Sequence, residues 1–210
     1  MRKIDLGSIV ALALVIATPA QAGLFGLPKF KVEQSDDRFS ADGLTTYSGL
    51  YNRISKKSLA GGVHIDDKGV FIEPFAVKNR ASGVVVALSF FIHNEADYST
   101  NYGSPLTLGA PQRITFITGE GGPIALPIKR GDSKWSSATT YNSITRSASA
   151  AVTETGFADL TAEQYQRIIN ATALAVRIEG TERSMTYETR DIAKTFVPNL
   201  KTFYEQYVAK

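Results

Sequence analysis

The sequence predicts a mainly β protein, an antiparallel β-sandwich with one short helix and a C-terminal helix packed on it. Three observations carry that prediction. From about Tyr47 onward, short apolar runs alternate with period two between Gly- and Asp-containing turns. The run from Val84 to His93 is apolar on both faces, as a central strand must be. Helical spacing emerges only after Leu160 and again after Asp191.

Composition sets the frame. The chain has 210 residues, 43% of them hydrophobic, with 23 Lys and Arg against 20 Asp and Glu and no Cys. That is one domain's worth of ordinary globular chain, too apolar for disorder and without sulfur for a disulfide framework, a thiolate metal site or a thiol nucleophile.

The first 22 residues read as a secretory signal peptide. Arg2 and Lys3 precede the apolar run Ile9 to Ala17, and Ala20-Gln21-Ala22 supplies the small side chains that a signal peptidase requires. The run is shorter than the roughly 20 apolar residues that span a bilayer. Removal of Arg2, Lys3 and Asp5 with this segment leaves 21 basic and 19 acidic residues, net +2 over 188 residues. Basic residues are dispersed, with short clusters at Arg53/Lys56/Lys57 and Lys129/Arg130/Lys134, which is unlike the concentrated stripe of a nucleic-acid binder. The expectation is a soluble periplasmic or secreted protein with no nucleic-acid partner and no transmembrane segment once residues 1–22 are removed.

Residues 23–45 read as an N-terminal arm, and 46–210 as a single domain. Val63-His64-Ile65 and Val70-Phe71-Ile72 flank Asp66 to Gly69 and predict a first hairpin, with Gly69 in the left-handed turn position. A second hairpin joins Arg113 to Ile117 with Ile124 to Ile128 across Gly119 to Gly122, and Pro127, which has no N–H to donate, places its second arm at a sheet edge. Ser133 to Ser149 holds nine Ser or Thr residues and reads as exposed strands and loops. Thr161 and Gln164 have capping-box spacing, with Leu160 and Tyr165 as a hydrophobic staple, so a helix begins there and stops near Ala171. Ala173 to Glu179 and Glu182 to Glu188 form a third hairpin. Asp191 is the N-cap expected for the last helix, whose stripe Ile192, Phe196, Leu200, Phe203 and Tyr207 faces the core, with a kink or restart at Pro198.

No motif assigns a reaction. Neither G-x-S-x-G nor S-x-x-K occurs, and Gly119-Glu120-Gly121-Gly122 joins two strands where a phosphate loop needs a strand and a helix. His93, Glu95 and Asp97 share one strand face and could converge on an ion. Neither His93 nor His64 has a metal-helix spacing, so His64 reads as a solvent-facing strand residue and His93 as the end of a buried strand hydrogen-bonded in the following loop. No cofactor and no catalytic residue is assigned.

Surface aromatics remain. Tyr98 and Tyr102 lie in a polar connection, and Trp135 and Tyr141 in the Ser/Thr-rich segment, where flat rings can stack on sugars or anchor peptides. The expectation is a non-enzymatic exported protein that binds an envelope protein or glycan through these four residues. The alternatives are a glycan hydrolase using two carboxylates and a carrier of a small apolar ligand.

Overall fold

The computed structural model describes residues 29–37, 43–55, 69–99, 107–119, 121–136, 140–144 and 146–210. Its strands are β1 (Lys31–Asp36), β2 (Leu44–Leu50), β3 (Gly69–Asn79), β4 (Val85–Ser99), β5 (Pro111–Ile117), β6 (Ile124–Trp135), β7 (Thr140–Asn142), β8 (Ser147–Asp159), β9 (Ala175–Gly180) and β10 (Ser184–Tyr187). The helices are α1 (Ala162–Ile169) and α2 (Phe196–Phe203), and α2 continues as one wider π turn over Tyr204–Val208.

All described strands belong to one antiparallel sheet in the order β1-β2-β3-β4-β8-β6-β5-β9-β10, with β7 also paired to β8. The mainly β class, the short helix and the C-terminal helix are those the sequence predicts. The two separate sheets of a sandwich are here joined into a single path through β6. This strand pairs with β5 over Ile124 to Pro127 and with β8 from Ile128 to Trp135, with a register break between Lys129 and Asp132. At the break Arg130 has φ +54°, and Gly131 lies so close to Pro111 that a Cβ would overlap its carbonyl oxygen. A bulge of this kind bends and twists a strand. The sheet curls back on itself, because Phe90 of β4 and Phe116 of β5, separated in the strand order by β8 and β6, have ring centroids 5.6 Å apart.

The core lies inside that curl. Ile72, Phe90, Ile92, Ile114, Phe116, Ala158 and Ile178 are buried with Tyr165 and Ile168 of α1 and Phe196, Leu200 and Phe203 of α2. Tyr165 stacks between Phe90 at 5.3 Å and Tyr204 at 5.2 Å and donates its hydroxyl to the Leu200 carbonyl at 3.0 Å. Burial pushes the Tyr165 phenol pKa well up, so this donor keeps its proton.

The capping box forms as predicted. Gln164 N–H donates to Thr161 Oγ1 at 3.1 Å, and Thr161 N–H donates to Gln164 Oε1 at 2.8 Å, while Leu160 and Tyr165 are both buried. The hairpins β5–β6 and β9–β10 also form, with Phe116 opposite Ile124 and Ile178 opposite Met185.

Several expectations are corrected. Residues 31–36 of the N-terminal arm are a strand paired with β2. The first arm of the first predicted hairpin, residues 63–65, lies outside the described residues, and Val70 to Ile72 are paired on both sides. One side takes β4, and the other takes residues 52–54 through Ile54 N to Val70 O, Ile72 N to Asn52 O and the Arg53–Phe71 bridge. Pro127 sits in an interior strand, and it is tolerated because pairing to β8 starts one residue later, at Ile128. Asp191 is not the N-cap of α2. Ile192 bridges Ser55 and Ala193 N–H donates to the Ile54 carbonyl at 2.7 Å, which holds the chain extended there. The helix starts at Phe196 after Thr195, so Pro198 falls in its first turn, where its missing N–H costs nothing.

Candidate functional site

The start of β8, the end of β4 and the β6–β7 segment form a three-stranded arm that extends past the core. Register fixes its two faces. Ala148, Ala150 and Val152 alternate along β8, and opposite them lie Tyr141, Tyr98 and Trp135 respectively, with Ala96 also opposite Val152. Directly opposed residues of an antiparallel pair share a face, so Trp135 and Tyr141 project on the same side of the arm. The intervening row holds Thr153 opposite both Lys134 and Glu95, and Ser149 and Ser147. One face is apolar and aromatic, and the other is polar.

The aromatic side chains are exposed, Trp135 at 45% and Tyr141 at 65%. At the turn between β7 and β8, Ile144 is 93% exposed, the most exposed large apolar side chain among the described residues. Ile144 N–H donates to Asn142 Oδ1 at 3.0 Å, an Asx-type bond that shapes the turn, and Arg146 takes φ +51° as the chain re-enters β8.

Two carboxylates are buried in the sheet, one of them at the base of the arm. Glu154, next along β8, is fully buried and accepts hydrogen bonds from Asn94 Nδ2 at 2.7 Å, Leu108 N–H at 3.0 Å and Gly109 N–H at 2.6 Å. It ties β4 and the 107–109 segment to the base of the arm, and Thr107 Oγ1 extends the link to Glu182 at 2.6 Å. On the opposite face of the sheet, Glu73 is 7% exposed and accepts from Tyr51 N–H at 2.7 Å. Burial pushes its pKa up to about 7, opposed by the Tyr51 hydrogen bond and by His93, and reinforced by the negative charge of Glu95. His93 Nε2 lies 3.0 Å from Glu95 Oε1, and its ring stacks with Phe71 at 5.8 Å and Phe91 at 5.9 Å. Lys134 pairs with Asp132 at 2.6 Å and holds that carboxyl below the usual range.

Of the four aromatics singled out from sequence, Trp135 and Tyr141 come together on one face. Tyr98 is in β4, opposite Ala150, rather than in a loop, because β4 runs six residues past His93. Tyr102 and His64 lie outside the described residues. His93 does not end its strand, and its partner Glu95 is on the same strand, not in a following loop. The sequence reading missed Ile144, visible only as a lone aliphatic in a polar run. It also missed Glu73 and Glu154, for which no local signal exists. Comparison with known proteins finds no match to a family model, to a curated protein or to a solved structure.

Proposed function

We propose that this chain is an exported, periplasmic or secreted, non-enzymatic binding protein that contacts an envelope component through its β-arm. The observation that carries the reading is the exposure of Trp135, Tyr141 and Ile144 on one projecting element, two of them on a common face. Large aromatics at exposed positions are the usual anchors of an interface. The apolar run and small-residue site of residues 1–22 support export. Among the described residues no helix is long and apolar enough to cross a membrane.

The test is site-specific photocrosslinking in the envelope of the host, with the probe at Tyr141, at Trp135 and, as a control on the opposite half of the sheet, at exposed Ile117. Adducts at the two arm positions and none at Ile117 support the reading. Equal labelling at all three, or none, overturns it.

One observation favours a second reading, glycan hydrolysis by two carboxylates. Burial raises the Glu73 pKa to about 7, so about half of this carboxyl holds its proton at neutral pH, and Glu73 shares a sheet face with Glu95, a placement that two-carboxylate chemistry can use. Release of reducing ends from purified envelope glycan that disappears in both Glu73→Gln and Glu95→Gln supports it. No release by the unaltered chain removes it.

A further inference from the structure

The two faces of the arm differ in charge as well as in polarity. From Ser133 to Thr153 the sequence has Lys134 and Arg146 and no Asp or Glu. Of the acids nearest to this stretch, only Glu154 lies in the aromatic row. Asp132 pairs with Thr155 and Glu95 with Thr153, and Asp97 occupies the register position opposite Ala151, all in the row that alternates with Ala148, Ala150 and Val152. Glu154 is in the aromatic row but is fully buried and held by Asn94, Leu108 and Gly109. The exposed aromatic face therefore presents Trp135 and Tyr141, with exposed Ile144 and Arg146 in the turn at its end, and with no exposed carboxylate among the described side chains of that row.

Trp and Tyr are the residues that settle at a bilayer–water interface, where the ring meets acyl chain and headgroup together. An aliphatic tip adds apolar insertion, and a nearby cation adds attraction to anionic headgroups. The placement suits a flat approach. Ala148 and Val152, opposite Tyr141 and Trp135, are four residues apart on β8, which is about 13 Å along a strand. Both rings can then reach one plane, whereas an end-on approach would leave Trp135 beyond a headgroup layer roughly 5–7 Å deep.

We propose that the β7–β8 arm docks on a glycerophospholipid surface carrying anionic headgroups, with Ile144 inserting, Tyr141 and Trp135 lying in the interface and Arg146 engaging phosphate. This rests on the reading of the arm as the contact surface and names the chemistry of its partner.

Trp135 is the only Trp of the chain, so its emission reports on the arm alone. The processed chain recovered from its host, its N-terminus established by mass, is mixed with vesicles of phosphatidylethanolamine and phosphatidylglycerol, or of phosphatidylcholine. The expected result is co-flotation with the anionic vesicles, a shift of emission to shorter wavelength and quenching by brominated acyl chains. Arg146→Glu lowers partitioning at least about fivefold, and Ile144→Asp abolishes it. Both positions are exposed, and an unchanged unfolding midpoint shows that each variant folds. Emission unchanged by anionic vesicles, or variants that bind as the unaltered chain does, overturns the assignment. If vesicles give no response while the Tyr141 photoprobe captures a protein, lipid is wrong and the contact surface stands. If neither responds, both fall.

Discussion

The Glu73 carboxylate sits 2.7 Å from the backbone N–H of Tyr51, a residue held at φ +65° where the chain leaves β2. A non-glycine residue in that region is uncommon and persists when its surroundings fix it. Here the fixing continues through Arg53, whose guanidinium lies 5.1 Å over the Phe71 ring, and through Asn52, which donates to the Ile72 carbonyl and accepts from Asn199 of α2. Glu73 thus belongs to the joint between the sheet and the last helix.

That position gives stability a defined pH dependence. The folded pKa of Glu73, about 7, lies above its ordinary value of 4.5, so between those values the folded state holds a proton that the unfolded state has lost. Stability from this group is full below pH 4.5, falls as pH rises and levels off above about 7, a loss on the order of 3 kcal/mol. Glu73→Gln is expected to flatten that slope and to be more stable than the unaltered chain at pH 8. Urea unfolding at pH 5 and pH 8 checks it. A steeper loss in the variant would show that the carboxylate is stabilised when charged.

Glu154 should behave in the opposite way to a surface acid. Glu154→Ala leaves the Asn94 amide and the Leu108 and Gly109 N–H groups buried without their acceptor, and is expected to cost about 3–5 kcal/mol. The base of the arm loosens first, so hydrogen exchange at Leu108 and Gly109 accelerates before global unfolding. Exchange unchanged at those two amides would rule out the latch.

The capping box at α1 allows a smaller, calibrated test. Thr161→Ala removes one half of the reciprocal pair and should cost about 1 kcal/mol by chemical denaturation, with the aromatic stack of Phe90, Tyr165 and Tyr204 preserved in near-ultraviolet circular dichroism.

Gly131 lies at the register break of β6, against the Pro111 carbonyl. Gly131→Ala forces β5 and β6 apart and should destabilise by about 1–3 kcal/mol, as overpacking does. Gly122, where an added Cβ meets nothing, has φ +77° and is the contrasting site, at which any cost comes from backbone strain alone. Equal m-values with lower midpoints are expected for both variants.

Much of the fold is legible because periodicity reports burial. The hairpins β5–β6 and β9–β10 follow from alternation, the central strand β4 from a run apolar on both faces, and α1 from four residues of cap chemistry. β1 escapes because Lys-Val-Glu-Gln-Ser-Asp sits at a sheet edge, mostly exposed, with Val32 as its single apolar residue and so no apolar row. The last strands of the arm escape in part because Asn94 to Ser99 is polar, although Asn94 is buried by its bond to Glu154, sixty residues away. Trp135 and Tyr141 were visible as surface aromatics, but their common face depends on the register of β6 and β7 against β8, which nothing local encodes. Glu73 and Glu154 look like any other strand acids until distant backbone amides close on them.

If the arm is the contact surface, its two rings contribute to binding and not to the core. The measurement is thermal unfolding of the Trp135→Ala/Tyr141→Ala double variant, paired with envelope crosslinking from a probe at Ile144 in the same background. A stability loss below about 1 kcal/mol together with loss of the Ile144 adducts is expected, since exposed side chains contribute little to folding and much to an interface. A loss of about 3 kcal/mol or more, as truncating a buried aromatic gives, or adducts that persist without the two rings, would contradict it.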